Sequence, residues 1–148
     1  MIQRIQSIFL FVSLCFTAPM LFVPVAGLVH ETGEIITFNL AGFSQNGALT
    51  SKDWSMMLFG ILICALNLII ILMYKSRVLQ LRLCIYNILF LIGLTGIMLF
   101  VVYNVPNIES VSFRLPAVFP IVSAILHYLA FRGIRKDEMM VQALSRLR

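Results

Sequence analysis

The chain has 148 residues, of which 61% are hydrophobic and 11% charged, and its formal net charge is +5. Soluble domains average about 45–50% apolar and about 25% charged residues, and so few charges cannot cover a folded domain of this size in water. An ordinary soluble enzyme is therefore excluded, as is a disordered tail; at about 20 apolar residues per bilayer crossing, a single membrane domain over residues 1–148 has material for four spans.

The first apolar run covers residues 5–29. Arg4 before it and Pro24-Val25-Ala26-Gly27 near its end leave two readings, a membrane span or a cleavable secretory signal. A signal core is usually 7–15 residues, and removing this run leaves an odd number of spans, so the span is preferred. Residues 30–53 form the longest polar segment, and the β-branched and aromatic stretch Glu34-Ile35-Ile36-Thr37-Phe38-Asn39-Leu40 predicts a short strand or hairpin there. That segment is read either as a compact cap over helix ends or as a contact surface. Thr50 and Asp53 resemble a capping box at the start of the second span, which runs over 54–74.

Lys75 to Gln80 is a tight connection that predicts an antiparallel hairpin with the third span, 81–103. Asn104-Val105-Pro106-Asn107 reads as a plain turn, and the fourth span covers 115–131. Segments such as Leu68-Ile69-Ile70-Ile71-Leu72 are apolar on every face, unlike the alternating strands of a membrane barrel, so helices are expected. Pro19, Pro24, Pro116 and Pro120 are expected to kink or loosen spans one and four. Gly93, Thr95 and Gly96 are expected to give the third span a small face for close helix approach. In the tail, 132–148, Met140, Leu144 and Leu147 make an apolar stripe beside basic residues, the pattern of an amphipathic helix lying on lipid or on a cytoplasmic partner.

Orientation follows from the basic residues. With both termini in the cytoplasm, that side carries Arg4, Lys75, Arg77, Arg82, Arg132, Arg135, Lys136, Arg146 and Arg148, against only Lys52 and Arg114 outside. This is the positive-inside pattern, and an even number of spans requires both termini on one side. The basic face predicts anionic lipid headgroups as its partner before nucleic acid. Trp54, Tyr74, Tyr86, Tyr103 and Tyr128 lie near span ends, as interfacial aromatics do.

Chemistry-bearing residues are few. Cys15, Cys64 and Cys84 have unrelated spacings and no neighbouring His, so they read as small packing residues. No phosphate-binding glycine loop, zinc-protease pattern or nucleophile elbow occurs. The spans hold no carboxylate, which counts against a pump, and two histidines at opposite ends do not suggest haem. No cofactor, metal or nucleic acid is expected. One constellation stands out because polar groups in a bilayer are expensive. Asn67, Asn87 and His127 lie four to seven residues inward from the cytoplasmic ends of their spans, roughly 6–10 Å deep. Ser123 shares the helix face of His127, and Ser13 on the first span is expected at a similar or slightly greater depth. The plainer reading is hydrogen bonding across helices; the sharper one is a small polar site for a proton, a quinone headgroup or a lipid headgroup.

Several stretches are similar to a family of small four-span bacterial integral membrane proteins classed as a domain of unknown function. They are Met1-Ile2-Gln3-Arg4-Ile5-Gln6-Ser7, the connection from Lys75 to Asn87 with Leu79-Gln80-Leu81-Arg82-Leu83-Cys84, and the tail from Tyr128 to Arg148. Arg132-Gly133-Ile134-Arg135-Lys136-Asp137-Glu138 and Ser145-Arg146-Leu147-Arg148 are the most distinctive parts. The resemblance implies four helices, a bacterial inner-membrane address and no established activity. Together these readings predict an all-α four-helix bundle with a short outer β-like loop and an amphipathic C-terminal tail. The expected role is a non-enzymatic inner-membrane accessory or scaffold protein, partnered by anionic headgroups and by another protein or a second copy of itself. The alternative is a small lipid-, quinone- or proton-handling component using the Asn67, Asn87, Ser123 and His127 layer.

Overall fold

The computed structural model describes residues 2–30, 33–45, 48–52, 54–73 and 76–146. Among these residues, four helices, α1 (Ile2–Met20), α2 (Trp54–Leu72), α3 (Arg77–Tyr103) and α4 (Phe119–Arg146), are accompanied by five strands. These are β1 (Ala26–His30), β2 (Ile35–Asn39), β3 (Gly42–Gln45), β4 (Ala48–Lys52) and β5 (Ile108–Phe113), paired antiparallel in the order β4-β3-β2-β1-β5. The chain is therefore mostly helical but not all-α. The expected single β-like element is one part of a sheet at one end of the helices.

Two expectations are corrected by that sheet. The apolar run 5–29 is helical only to Met20, and its last residues form β1, the strand between β2 and β5. A strand buried on both faces is continuously apolar, so hydropathy cannot separate it from a helix. Pro24, which has no N–H to continue a helical ladder, marks the change. The segment after Asn104 also contains more than a turn. Asn107 adopts the left-handed conformation that Asn tolerates, and the chain then pairs as β5 along β1, with Ala26 opposite Phe113 and Leu28 opposite Val111.

Other expected features resolve differently in detail. Pro116 opens a short 3-10 turn and Pro120 is the second residue of α4, positions where a missing N–H costs nothing, so both start helix rather than kink it. The tail is no separate element: α4 runs unbroken through Gly133, because the surrounding Arg, Lys, Glu, Met and Ala are strong helix formers. Met140 on it is exposed; Leu147 and the side chain of Leu144 lie outside the described residues. Thr50 falls within β4 and its supposed capping partner Asp53 lies outside the described residues. The α2–α3 hairpin forms as expected, and buried Gln80 donates from Nε2 to the Ile70 carbonyl at 3.1 Å, satisfying a carbonyl that the end of α2 would leave bare.

Buried positions on the helices alternate in steps of three and four: Leu10, Ser13, Thr17 and Met20 on α1; Met56, Gly60, Ile63, Asn67 and Ile70 on α2; Gln80, Cys84, Asn87, Leu91, Leu94 and Met98 on α3. This is the spacing of a coiled-coil seam. The opposite faces expose Ile8, Phe11, Leu58, Leu62, Leu68, Leu89, Ile92 and Ile125, among others. Water would penalise so continuous an apolar exterior, whereas lipid tails accept it. The segments Trp54–Leu72, Arg77–Tyr103 and Leu115–Val141 are each long and apolar enough to cross a membrane, while the apolar part of α1, Ser7–Met20, is shorter.

Gly60 on α2 packs against the end of α1 and the β2–β3 turn. A Cβ on it would come within 2.7 Å of Leu21 Cδ2 and 2.9 Å of Leu40 Cδ2. Two methyl ends can give way to an alanine but not to a branched side chain. Gly60→Leu is expected to cost about 1–3 kcal/mol by overpacking, read as a lowered unfolding midpoint of the purified protein. A Gly60→Leu midpoint equal to that of Gly60→Ala would refute the tight contact. Gly93 and Gly96 behave oppositely: nothing lies within 4 Å of a Cβ at either, so the expected close helix approach along α3 is not made there.

Candidate functional site

The structure brings Asn67, Asn87, Ser123 and His127 together, and adds Ser13 from α1. All five side chains are fully buried. Asn67 and Asn87 each sit one seam step from an apolar cluster on either side, and Thr17 and the Ser123–His127 step keep the layer polar on α1 and α4. Toward the sheet lie Met20, Ile63, Leu91 and their neighbours; away from it lie Leu10, Ile70, Cys84, Ala130 and Ile134. The polar layer is thus a single stratum between two hydrophobic ones, built by one or two residues from every helix.

His127 is its hub. Nδ1 lies 3.0 Å from the Ser123 carbonyl, which only accepts, so Nδ1 carries the proton. The Ser13 hydroxyl is 2.9 Å from the same nitrogen and shares that proton. Nε2 is then the bare nitrogen, and Asn87 Nδ2 donates to it at 2.8 Å. Asn67 Nδ2 donates to Ser13 Oγ at 3.4 Å, and Ser123 Oγ donates to the Ser13 carbonyl at 3.4 Å. The Ser13 carbonyl also accepts from Thr17 Oγ1 at 3.1 Å. A neutral imidazole therefore links α1, α3 and α4, and Asn67 ties in α2. Two acceptors remain without partners, Asn67 Oδ1 and Asn87 Oδ1.

Counting inward along the spans grouped Asn67, Asn87, Ser123 and His127, with Ser13 at a similar or slightly greater depth; it named neither Thr17 nor Gln80, which are buried as well. Their signal was available. Ser13 and Thr17, Asn67, Gln80 and Asn87, and Ser123 and His127 all fall on the three-four spacing of one helix face.

Beyond the layer, away from the sheet, the helices carry the basic residues. Arg77 Nη1 pairs with Asp137 Oδ2 at 3.0 Å, joining the start of α3 to the last third of α4. Arg77 and Asp137 are each ten residues from Asn87 and His127, the contact that fixes the same antiparallel register. The pair therefore stands about 15 Å beyond the polar layer. Arg82, Arg132, Arg135 and Lys136 are exposed at this end. Lys75 and Arg148 lie outside the described residues, as do the side chains of Arg4 and Arg146.

The cysteines are free and do not meet: Cys84 is buried in the apolar cluster beyond the layer, Cys64 is half-buried and Cys15 is exposed, so only the first fills the packing role expected of all three. Among the described residues, no three His, Cys, Asp or Glu side chains gather as metal ligands would. A family model described as Domain of unknown function (DUF4293) matches residues 2–147. No curated protein matches the chain.

Proposed function

The chain belongs to the DUF4293 family, and from that and its structure we propose that it is an integral protein of the bacterial inner membrane with four spans and both termini in the cytoplasm. Its role is non-enzymatic: an accessory or scaffold subunit whose basic cytoplasmic face engages anionic headgroups and a protein partner, or a second copy. The observation that carries this reading is the sorting of groups along the helix axis. Arg77, Arg82, Arg132, Arg135 and Lys136 gather at one end, the sheet covers the other, and an apolar exterior lies between. Exposed Tyr103 and Tyr86 on α3 stand 17 residues apart, about 26 Å of helix, which suits a hydrocarbon core of about 30 Å between interfacial aromatics. Although the apolar part of α1, Ser7–Met20, is shorter than the other three, Ser13 enters the same layer as Asn67, Asn87 and His127, which supports counting α1 as a fourth crossing. The hydrogen bonds of the layer are spent across helices, which favours packing as its work.

Two measurements test the proposal. In a chain whose three cysteines are replaced, Ser76→Cys should react with a membrane-impermeant thiol reagent only from the cytoplasmic side, and Ser110→Cys on β5 only from outside. Labelling of both from one side would overturn the topology. Crosslinking and purification from native membranes should recover a stoichiometric protein partner or a homo-oligomer; a bare monomer would overturn the scaffold role.

A second reading has its own observation, the unpartnered amide oxygens of Asn67 and Asn87. Buried acceptors without donors suit a site that takes up a proton, a quinone headgroup or a lipid headgroup. If His127→Ala and Asn67→Ala leave growth unchanged while lowering thermal stability, that site does not exist.

A further inference from the structure

The apolar exterior is not uniform. Between α3 and α4 it is indented by a groove of about 560 Å³, lined by residues that include Ile92, Gly96, Leu99, Ile121, Ile125 and Tyr128. That volume lies in the range of pockets that hold small organic ligands. The groove exists because Gly96 presents no side chain to the space beside α4, where a Cβ would meet nothing within 4 Å.

The two walls of the groove lead to the same place. On α3, Gly96, Leu89 and Arg82 follow one another at seven-residue intervals, all exposed and on one face. On α4, Ile121, Tyr128 and Arg135 do the same, and Ile125 is followed seven residues later by Arg132. The register of the helices sets Arg82 and Arg132 level with each other. Arg82 lies five residues from both Asn87 and Arg77, and Arg132 five residues from both His127 and Asp137, the partners that touch across this interface. Arg135 is one turn further out. All three guanidinium groups are exposed. The Tyr128 ring, also exposed, stands between groove and arginines, four residues or about 6 Å short of Arg132.

An apolar groove with exposed arginines further along both of its helices matches one kind of molecule, a chain of hydrocarbon ending in an anion. We propose that the α3/α4 groove binds an anionic phospholipid of the surrounding bilayer, one acyl chain lying along Ile92, Gly96 and Ile125 and the phosphate held between Arg82 and Arg132. This rests on the membrane reading above and sharpens its headgroup contact to a defined site. Arginine suits the task, since its planar fork pairs with phosphate oxygens in a fixed geometry. A zwitterionic lipid fills the groove equally well but gains less from the arginines, so charge supplies the selectivity.

The test uses the full chain in vesicles. Trp54 is the single tryptophan, so Trp54→Phe gives a silent background for two reporters. Leu89→Trp lies on the path from groove to Arg82; Leu68→Trp lies on the exposed face of α2, and both are within two residues of the polar layer. Quenching is measured with phosphatidylglycerol and with phosphatidylcholine carrying brominated chains. At Leu89→Trp the relative binding constant should favour phosphatidylglycerol at least about fivefold, and at Leu68→Trp it should be near one. Arg82→Gln with Arg132→Gln should abolish the preference, and Gly96→Leu, at a position where a Cβ meets nothing within 4 Å, should abolish it too by occupying the groove. Equal quenching by both lipids at Leu89→Trp, an equal preference at both reporters, or a preference that survives the arginine changes overturns the site. Quenching at Leu68→Trp but none at Leu89→Trp overturns it in favour of a protein covering the groove. No quenching of either reporter removes the membrane reading, and the site with it.

Discussion

Replacing His127 by alanine is expected to lower the stability of the protein by about 2–4 kcal/mol, the sum of two interhelical hydrogen bonds and the space the ring leaves behind. The ring is fully buried and contacts Ser13 on α1 and Asn87 on α3 as well as the Ser123 carbonyl of its own helix. Removing it strands the Asn87 amide, and leaves the Ser13 hydroxyl only its contact with Asn67, in a stratum closed above and below by apolar clusters. Stranded donors account for part of the cost, because a buried polar group that loses its partner keeps its desolvation penalty. A double substitution isolates that part. His127→Leu with Asn87→Leu should cost clearly less than the two single changes added together, since neither leaves the other's partner bare. Unfolding of the reconstituted protein, with the four chains compared under one condition, gives the coupling. Additive losses would mean that the 2.8 Å contact contributes nothing and that the ring matters only for its volume.

The polar layer was legible in the sequence for a reason that does not extend to the rest. In a chain where nearly every residue is apolar, Asn67, Asn87 and His127 mark both the inward face and the level of their helices. Polar groups sit there only if they meet one another. The apolar residues carry no such mark. Leu68 and Ile69 are exposed while Ile70 is fully buried, and all three read alike by hydropathy. The same indifference hid the strand in residues 26–30, where burial between two other strands demands as apolar a stretch as a helix does. It also hid the groove, which depends on Gly96 lying off the seam and not on it. The continuity of α4 escaped for the opposite reason. After Phe131 the residues change from apolar to charged, but they remain strong helix formers, and the backbone has no cause to break there.

The sheet supplies the second large expected effect. Phe38 on β2 is 1% exposed and packs in one cluster with Met20, Leu28, Met56 and Met98, its ring 5.0 Å from that of Phe43. Among the described residues it is the largest fully buried side chain of the sheet, in a cluster shared with residues of the helices. Phe38→Ala is therefore expected to cost about 3–5 kcal/mol. The distribution of the loss matters more than its size. Among the described residues, the polar layer and the apolar cluster beyond it contain none from the sheet. Once the ring is gone, the strands should open as a unit while the far end of the helices holds, since cooperative units of a fold open with different free energies. Amide hydrogen exchange should accelerate in β1, β2 and β5 and stay slow around Asn87 and His127. Equal acceleration at Asn87 would show instead that the sheet and the polar layer form one cooperative unit. Residues such as Leu40, which packs against Gly60, would then stabilise the whole chain and not only its capped end.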